Sequence, residues 1–356
     1  MATLNDEYKH GRGAQYNPSN KFLKNSFVKE HWDGIDEEEI FRNKQTKFIY
    51  EKPKTLVNKV DSPDVGPAYS MNPYQGCEHG CIYCYARNTH EYYGYSAGLD
   101  FESRIIVKEN APVLLEQFLR KKNYQPEPIM LSGNTDCYQP IERKMGITRK
   151  LLEVLLEFKH PVGIITKNYN VVRDIDLLQE LTKLGLVVVN ISITSLNNEL
   201  HNKMEPRTAA PAKRLKAVKA LADAGIPVRI MNAPIIPGLN DKEIPEVLKR
   251  SSENGALGAG YTMVRLNGAI GPIFHDWIHK AYPLKADKVL NTIGYTHNGK
   301  LNDSRFGVRM RGEGNHAEMV AQLFQIARDK YFKDKVVPTL RADLFKPPPI
   351  GQLELF

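Results

Sequence analysis

Apolar residues alternate along this chain between two rhythms. Short runs with strand character fall at 69–73, 128–132, 162–166, 186–194, 226–231 and 259–264. Between and after them lie longer stretches with helical spacing, at 111–122, 147–158, 175–184, 212–224, 241–252 and 317–332. In 147–158, Leu151, Leu152, Leu155 and Leu156 recur at the interval that puts them on one helix face. Pro112 and Pro245 stand near helix starts, where a missing N–H costs nothing, and Gly185 and Gly225 mark helix stops. Strand then helix, six times over, predicts a parallel sheet joined by right-handed crossovers. Six units fit an open partial barrel or a doubly wound sheet. In both, ligands bind beyond the C-terminal ends of the strands. The first strand runs into the loop 71–87, which is thereby placed at that end.

The two ends of the chain lack this pattern. The first 65 residues are polar and glycine-containing around Gly11, Arg12 and Gly13, which predicts an extended arm wrapping the core. Pro347, Pro348 and Pro349 predict a stiff spacer that holds the terminal residues clear of the barrel. The expected divisions are an arm at 1–65, a core at 66–285, a helical extension at 286–345, and a spacer with terminal peptide at 346–356.

Composition changes the picture in two respects. At 42% hydrophobic and 25% charged, the 356 residues are those of an ordinary globular protein. No apolar run is of membrane-spanning length and none at the start has signal-peptide character, so a cytoplasmic protein with reduced thiols and no membrane partner is expected. The net charge of +8 favours a polyanionic partner. Lys213, Arg214, Lys216 and Lys219 on one predicted helix fit that idea, as do Arg305, Arg309 and Arg311. Tyr92, Tyr93 and Tyr95 could stack on bases.

Three of the four cysteines, Cys77, Cys81 and Cys84, sit in the loop after the first strand. Three thiolates can hold three corners of a metal centre and leave one position open, whereas a closed zinc site wants four ligands. A zinc site would need His79, His90 or Cys137 as the fourth, and would make the chain a non-catalytic, metal-binding nucleic-acid adaptor. The second strand opens into Ser132, Gly133, Asn134, Thr135 and Asp136, small polar residues that let a ligand approach the backbone. Lys167 follows the third strand. Ser192 and Thr194 alternate with apolar residues in the fourth and so share one face. Cys137 is either a hydrogen-atom donor to a substrate radical or a small buried hydrophobe, and Tyr138 either shares that redox role or packs.

The spacing of the cysteines, with aromatic Tyr83 before the last, resembles the signature of the radical S-adenosylmethionine (SAM) superfamily. The resemblance implies a partial (β/α)6 barrel. It also implies a [4Fe-4S] cluster on Cys77, Cys81 and Cys84, with SAM chelated at the fourth iron. Residues Ser132 to Asp136 take the place of the family's Gly-Gly-Glu-like stretch, which grips the SAM amino group, but depart from it in sequence. Asp136 is the natural partner of that ammonium, Ser192, Thr194 and Lys167 are placed to meet the ribose or carboxylate, and the loop 232–240 with Ile236 resembles the family's apolar adenine wall. The stretch 77–104 and the arm around Gly11 resemble the spore photoproduct lyase-like branch, also called DNA repair photolyase-like. That likeness implies reductive cleavage of SAM to a 5′-deoxyadenosyl radical, lyase-type radical chemistry on a nucleic acid, and an electron donor protein. The branch's thiol donor does not align with Cys137, so repair of its thymine lesion does not carry over. Last, Gln352, Leu353, Leu355 and Phe356 resemble the peptide by which bacterial DNA-repair proteins bind the sliding clamp.

Overall fold

The computed structural model describes residues 7–23, 45–66 and 69–349. Its strands are β1 (Lys47–Glu51), β2 (Val57–Lys59), β3 (Tyr69–Met71), β4 (Tyr74–Gln75), β5 (Arg104–Lys108), β6 (Ile129–Leu131), β7 (Val162–Thr166), β8 (Val187–Ser192), β9 (Val228–Ile235) and β10 (Gly258–Met263). The larger sheet has the order β10-β9-β8-β7-β6-β3-β2. Strands β3 and β6 to β10 are parallel to one another, and β2 runs antiparallel beside β3. The order never reverses along the chain. Right-handed crossovers must then put every helix on one side, which is the partial barrel and not the doubly wound sheet. The ladder stays open, with β2 and β10 as its edges.

Alternation divides the sheet into two faces. The convex face carries residues such as Leu131, Ile164, Val189, Ile191 and Ile230, all buried beneath helices Ala111–Leu119, Ile147–Glu157, Ile175–Lys183, Pro211–Asp223 and Ile244–Glu253. The concave face carries Ser70, Gly163, Asn190, Ser192, Arg229 and Gly260, as the strand registers require. Helix Gly314–Phe332 covers the β10 end, with Phe324 4.5 Å from Tyr261 between ring centroids. A second apolar cluster forms around Trp277 of helix Ile270–Ala281 and includes Cys81, Ile82 and Tyr83.

The six predicted strands all form, with β3 and β8 ending two residues earlier than expected, at Met71 and Ser192, and β9 running on. Strand β9 continues to Ile235, so residues 232–235 are strand and not loop. Pro234 is tolerated there because the β9–β10 register shifts between Tyr261 and Met263, where a ladder N–H is not required. The smaller sheet, in the order β1-β5-β4, has no counterpart in the sequence pattern. The proline spacer is also corrected: Arg120 donates to the Pro348 carbonyl at 2.7 Å and Lys346 N–H to Phe158 O at 3.1 Å. Residues 346–349 therefore lie along the barrel. The clamp-like peptide 352–356 lies outside the described residues.

Candidate active site

The cysteine loop sits beyond the C-terminal end of β3, between β4 and the 3₁₀ helix Tyr85–Tyr93. Successive turns fold it: Gly80 N–H donates to Cys77 O, Cys84 N–H to Cys81 O and Arg87 N–H to Cys84 O, all at 3.2–3.3 Å. Cys77 and Cys81 are buried, Cys84 is half-exposed, and none forms a disulfide. Arg87 is fully buried inside the loop. It donates to the carbonyls of Cys81 (3.0 Å), Gly80 (3.0 Å), Ala97 (3.2 Å) and Gly98 (2.9 Å), and to Glu102 Oε1 (2.6 Å). Glu102 also accepts from the Gly13 and Ala14 amides of the N-terminal arm, at 3.2 and 2.7 Å, and from Arg207. A β-carbon at Gly13 would run into the Gly80 carbonyl, so only glycine lets the arm lie against the cysteine loop.

On the other side, the 132–140 stretch braces the same loop. Gln139 accepts from Glu78 N–H at 2.9 Å and donates to Gly76 O at 3.2 Å. Burial pushes the Cys77 thiol well up, and the Asp136 carboxylate adds to this, while the Asp136 amide donates to its sulfur and opposes it. Burial also pushes the Cys81 thiol up, against the favourable charge of Lys167. Such sulfurs stay neutral unless a cationic centre compensates them, which is what a metal cluster does. Of the three candidate fourth zinc ligands, His90 is buried against the rings of Tyr95 and Phe101. His79 is engaged by Asp136 at 3.3 Å and faces Asn168 at 3.2 Å, and Cys137 sits in the convex core. Among the described residues no three His, Cys, Asp or Glu side chains converge on a single-ion position.

The expected cofactor side chains surround this loop, but not all point into it. Asn72 Oδ1 accepts from the amides of Asn134 (2.8 Å) and Thr135 (3.2 Å), and Thr135 donates its hydroxyl to Tyr74 O at 2.7 Å. A β-carbon at Gly133 would collide with the Ser70 hydroxyl, and the Gly133 carbonyl accepts from Tyr85. Ser132, at φ 77°, accepts from Cys137 N–H at 2.7 Å. Asp136 is tied down by the Thr166 hydroxyl, the Lys167 and Tyr138 amides, and His79. Burial raises its pKa, but His79 and these donors outweigh burial and hold it at about 2. Lys167 Nζ stands 5.9 Å from the Tyr83 ring centroid, half-buried beside the loop. Ser192 and Ile236 are buried, Ile236 in the cluster that also holds Cys81 and Tyr83. Thr194 lies just past β8, where it donates to Glu205 at 2.7 Å and sits 3.3 Å from the Tyr83 hydroxyl.

Burial bears on two expectations. Cys137 and Tyr138 are fully buried in the convex core, Cys137 with its carbonyl accepting from Thr148 at 2.6 Å and Tyr138 donating to Asp174 at 3.1 Å. That placement supports the packing role over the radical one. Arg214 leaves the proposed basic helix face: it is buried and paired with Glu205, while Lys213, Lys216 and Lys219 stay exposed. Glu205 was missed by the sequence pattern. It joins Tyr83, Thr194 and Arg214 in one buried network beside Cys81, and burial raises its pKa against the pull of Arg214. Its signal was the charged pair Glu205 and Arg207 flanking Pro206, directly after an apolar helix end.

The radical SAM superfamily model matches residues 71–250, half of the chain and the whole of the cysteine loop. This chain belongs to the radical SAM superfamily, whose cofactors are a [4Fe-4S] cluster and SAM. An uncharacterized protein of Mycobacterium tuberculosis is 33% identical over 233 residues, 65% of this chain and 68% of the relative. An uncharacterized protein of Methanocaldococcus jannaschii is 33% identical over 201 residues, 56% of this chain and 72% of the relative. Among solved structures, a spore photoproduct lyase variant superposes with TM-score 0.60 at 18% identity, covering 85% of both chains. Spore photoproduct lyase complexed with dinucleoside spore photoproduct gives 0.58 at 18% identity, over 80% of this chain and 79% of that one. At this identity the likeness is one of fold. No helix among the described residues is long and apolar enough to cross a membrane.

Proposed function

We propose that this chain is a radical SAM enzyme that acts on a nucleic acid, with lyase-type chemistry. The observation that carries the reading is the placement of Cys77, Cys81 and Cys84 in one braced, mostly buried loop at the mouth of an open barrel. In this reading the three thiolates hold the cluster. When bound and reduced, the cluster supplies the electron that cleaves SAM to methionine and a 5′-deoxyadenosyl radical. Around it, Lys167 offers a cation for the SAM carboxylate, Thr194 offers a hydroxyl beside Tyr83, and Ser192 offers one on the concave face. Ile236 and the rest of the Trp277 cluster give the apolar surface for adenine and keep water from the loop. Asp136 fixes the shape of the 132–136 stretch through its four donors, leaving backbone groups there to meet the SAM ammonium.

The nucleic-acid part rests on the +8 charge, on the exposed aromatics Tyr92 and Tyr93 in the 3₁₀ helix that follows Cys84, and on the barrel's likeness to spore photoproduct lyase complexed with dinucleoside spore photoproduct. Phe22 stacks on Tyr92 at 4.9 Å, which extends the platform. An electron donor protein and a sliding clamp engaging 352–356 complete the proposed partners. The test is anaerobic turnover with SAM and reductant in the presence of damaged or modified DNA and RNA. Hydrogen transfer between deoxyadenosine and one nucleic acid supports the reading; SAM cleavage that no nucleic acid alters contradicts it.

A further inference from the structure

Arg229 occupies an unusual place for an arginine. It lies on the concave face of β9, in register with Asn190 and Gly258. Its neighbours Val228 and Ile230 point the other way into the core. Its guanidinium reaches sideways across Gly260: a β-carbon there would lie 3.3 Å from Arg229 Nη2. Gly258 and Gly260 add no side chain of their own beside it, and Val337 and Met231 bound the space over them. Two further arginines approach from the open edge. Arg311 lies 4.5 Å over the Tyr261 ring, and Met310 beside it accepts from Met263 N–H at 2.9 Å, so this segment runs along the unpaired side of β10. Arg328 projects from helix Gly314–Phe332.

All three are exposed, and among the described residues neither Arg229 nor Arg311 has an ion-pair partner. Arg328 has only its chain neighbour Asp329, at 3.9 Å. Burial lowers the Arg229 pKa, and the charges of Arg328 and Arg311 lower it further. Like charges held together without an acid destabilise the fold unless an anion meets them. Arginine forks match phosphate oxygens in particular, and an extended strand presents such groups in series.

We propose that Arg229, Arg311 and Arg328 form a phosphate-binding strip along the open β10 edge, which guides a single strand of nucleic acid toward the concave face. This deepens the proposed function and rests on it for the identity of the strand.

The test is fluorescence anisotropy of the full chain, anaerobically reconstituted, with a labelled single-stranded oligonucleotide titrated at several salt concentrations. Each of R229Q, R311Q and R328Q should weaken binding roughly three- to tenfold at low salt and flatten the log–log salt slope by about 0.7. The triple variant should lose most of the affinity with an unchanged far-ultraviolet spectrum, and Arg229→Lys should recover charge but not the full affinity. Unchanged affinity and slope in the triple variant overturn the strip. Equal competition by polyglutamate of matched charge also overturns it, and assigns the arginines to an acidic protein. Competition by inorganic phosphate or a mononucleotide at concentrations as low as the oligonucleotide overturns the strand in favour of a small ligand. Strand binding without SAM cleavage sinks the radical reading and leaves the strip standing; SAM cleavage without strand binding does the reverse.

Discussion

Arg87 Nη2 meets Glu102 Oε1 at 2.6 Å with neither side chain reached by solvent. This pair joins three segments: the cysteine loop with the 3₁₀ helix that follows it, the helix Leu99–Ser103 that carries Glu102, and the N-terminal arm through the Gly13 and Ala14 amides. Breaking a buried pair leaves the other charge uncompensated, a cost of about 3–5 kcal/mol. Arg87→Met should therefore lower the denaturation midpoint and reduce the iron retained after gel filtration. Glu102→Gln should do so less, because its amide oxygen still accepts from the arm. Unchanged iron content in Arg87→Met would show that the arginine stabilises the fold without shaping the loop.

Cys137→Ala provides a second check. With the thiol closed into the convex core, the variant should keep cluster loading, SAM cleavage and product distribution, and lose about 1–2 kcal/mol from the small cavity. Misdirected product or a trapped adduct, with SAM consumption continuing, would restore the hydrogen-donor role.

The six β/α units were legible because each strand and helix carries its own period, and Cys77, Cys81 and Cys84 because metal ligation constrains spacing within one loop. Arg87, Glu102 and Glu205 were not legible. Their roles come from partners far along the chain, such as Gly13 with Glu102 and Tyr83 with Glu205, and no local period records such pairs. The two roles left open for Cys137 have the same origin. Adjacency to Asp136 says nothing about direction, and the turn at Ser132 sends the chain outward. The strands of the smaller sheet failed to show for a third reason: β1 lies in the polar arm and β4 is two residues at the start of the cysteine loop, so neither belongs to the strand–helix repeat.

The C-terminal segment fastens near His160, and this gives a pH dependence. Burial lowers the His160 pKa to about 4, with only its contact to Pro161 O opposing, and its ring stacks on Tyr124 and meets Phe345 edge-on. The unfolded imidazole titrates near 6.5. Between these values the unfolded chain binds the extra proton, so stability falls as pH drops from 6.5 toward 4. From pH 7 to pH 5 the loss is about 2 kcal/mol. His90 and His201, which burial also lowers to about 4, add similar losses, so urea unfolding of His160→Gln should show an acid loss smaller than the natural chain's by about 2 kcal/mol. Equal acid sensitivity in both would assign it to other groups.

The terminal peptide can be tested apart from the catalytic core. Removing 352–356 should leave SAM cleavage unchanged and abolish sliding-clamp binding, expected at roughly micromolar affinity, or about −8 kcal/mol. Arg120→Ala, which releases Pro348 from the barrel, should change clamp affinity little. Absence of clamp binding at tens of micromolar would end the link.

The most direct measurement for the account as a whole is 5′-deoxyadenosine formed by the anaerobically reconstituted chain after reduction with SAM, read by mass spectrometry beside its iron content. The natural chain should hold about four irons and form the nucleoside. Changing Cys77, Cys81 or Cys84 to Ala should abolish it in each case, whereas Cys137→Ala should not. Stoichiometric tight zinc with no deoxyadenosine from the natural chain, or full product from any of the three alanine variants, would contradict it.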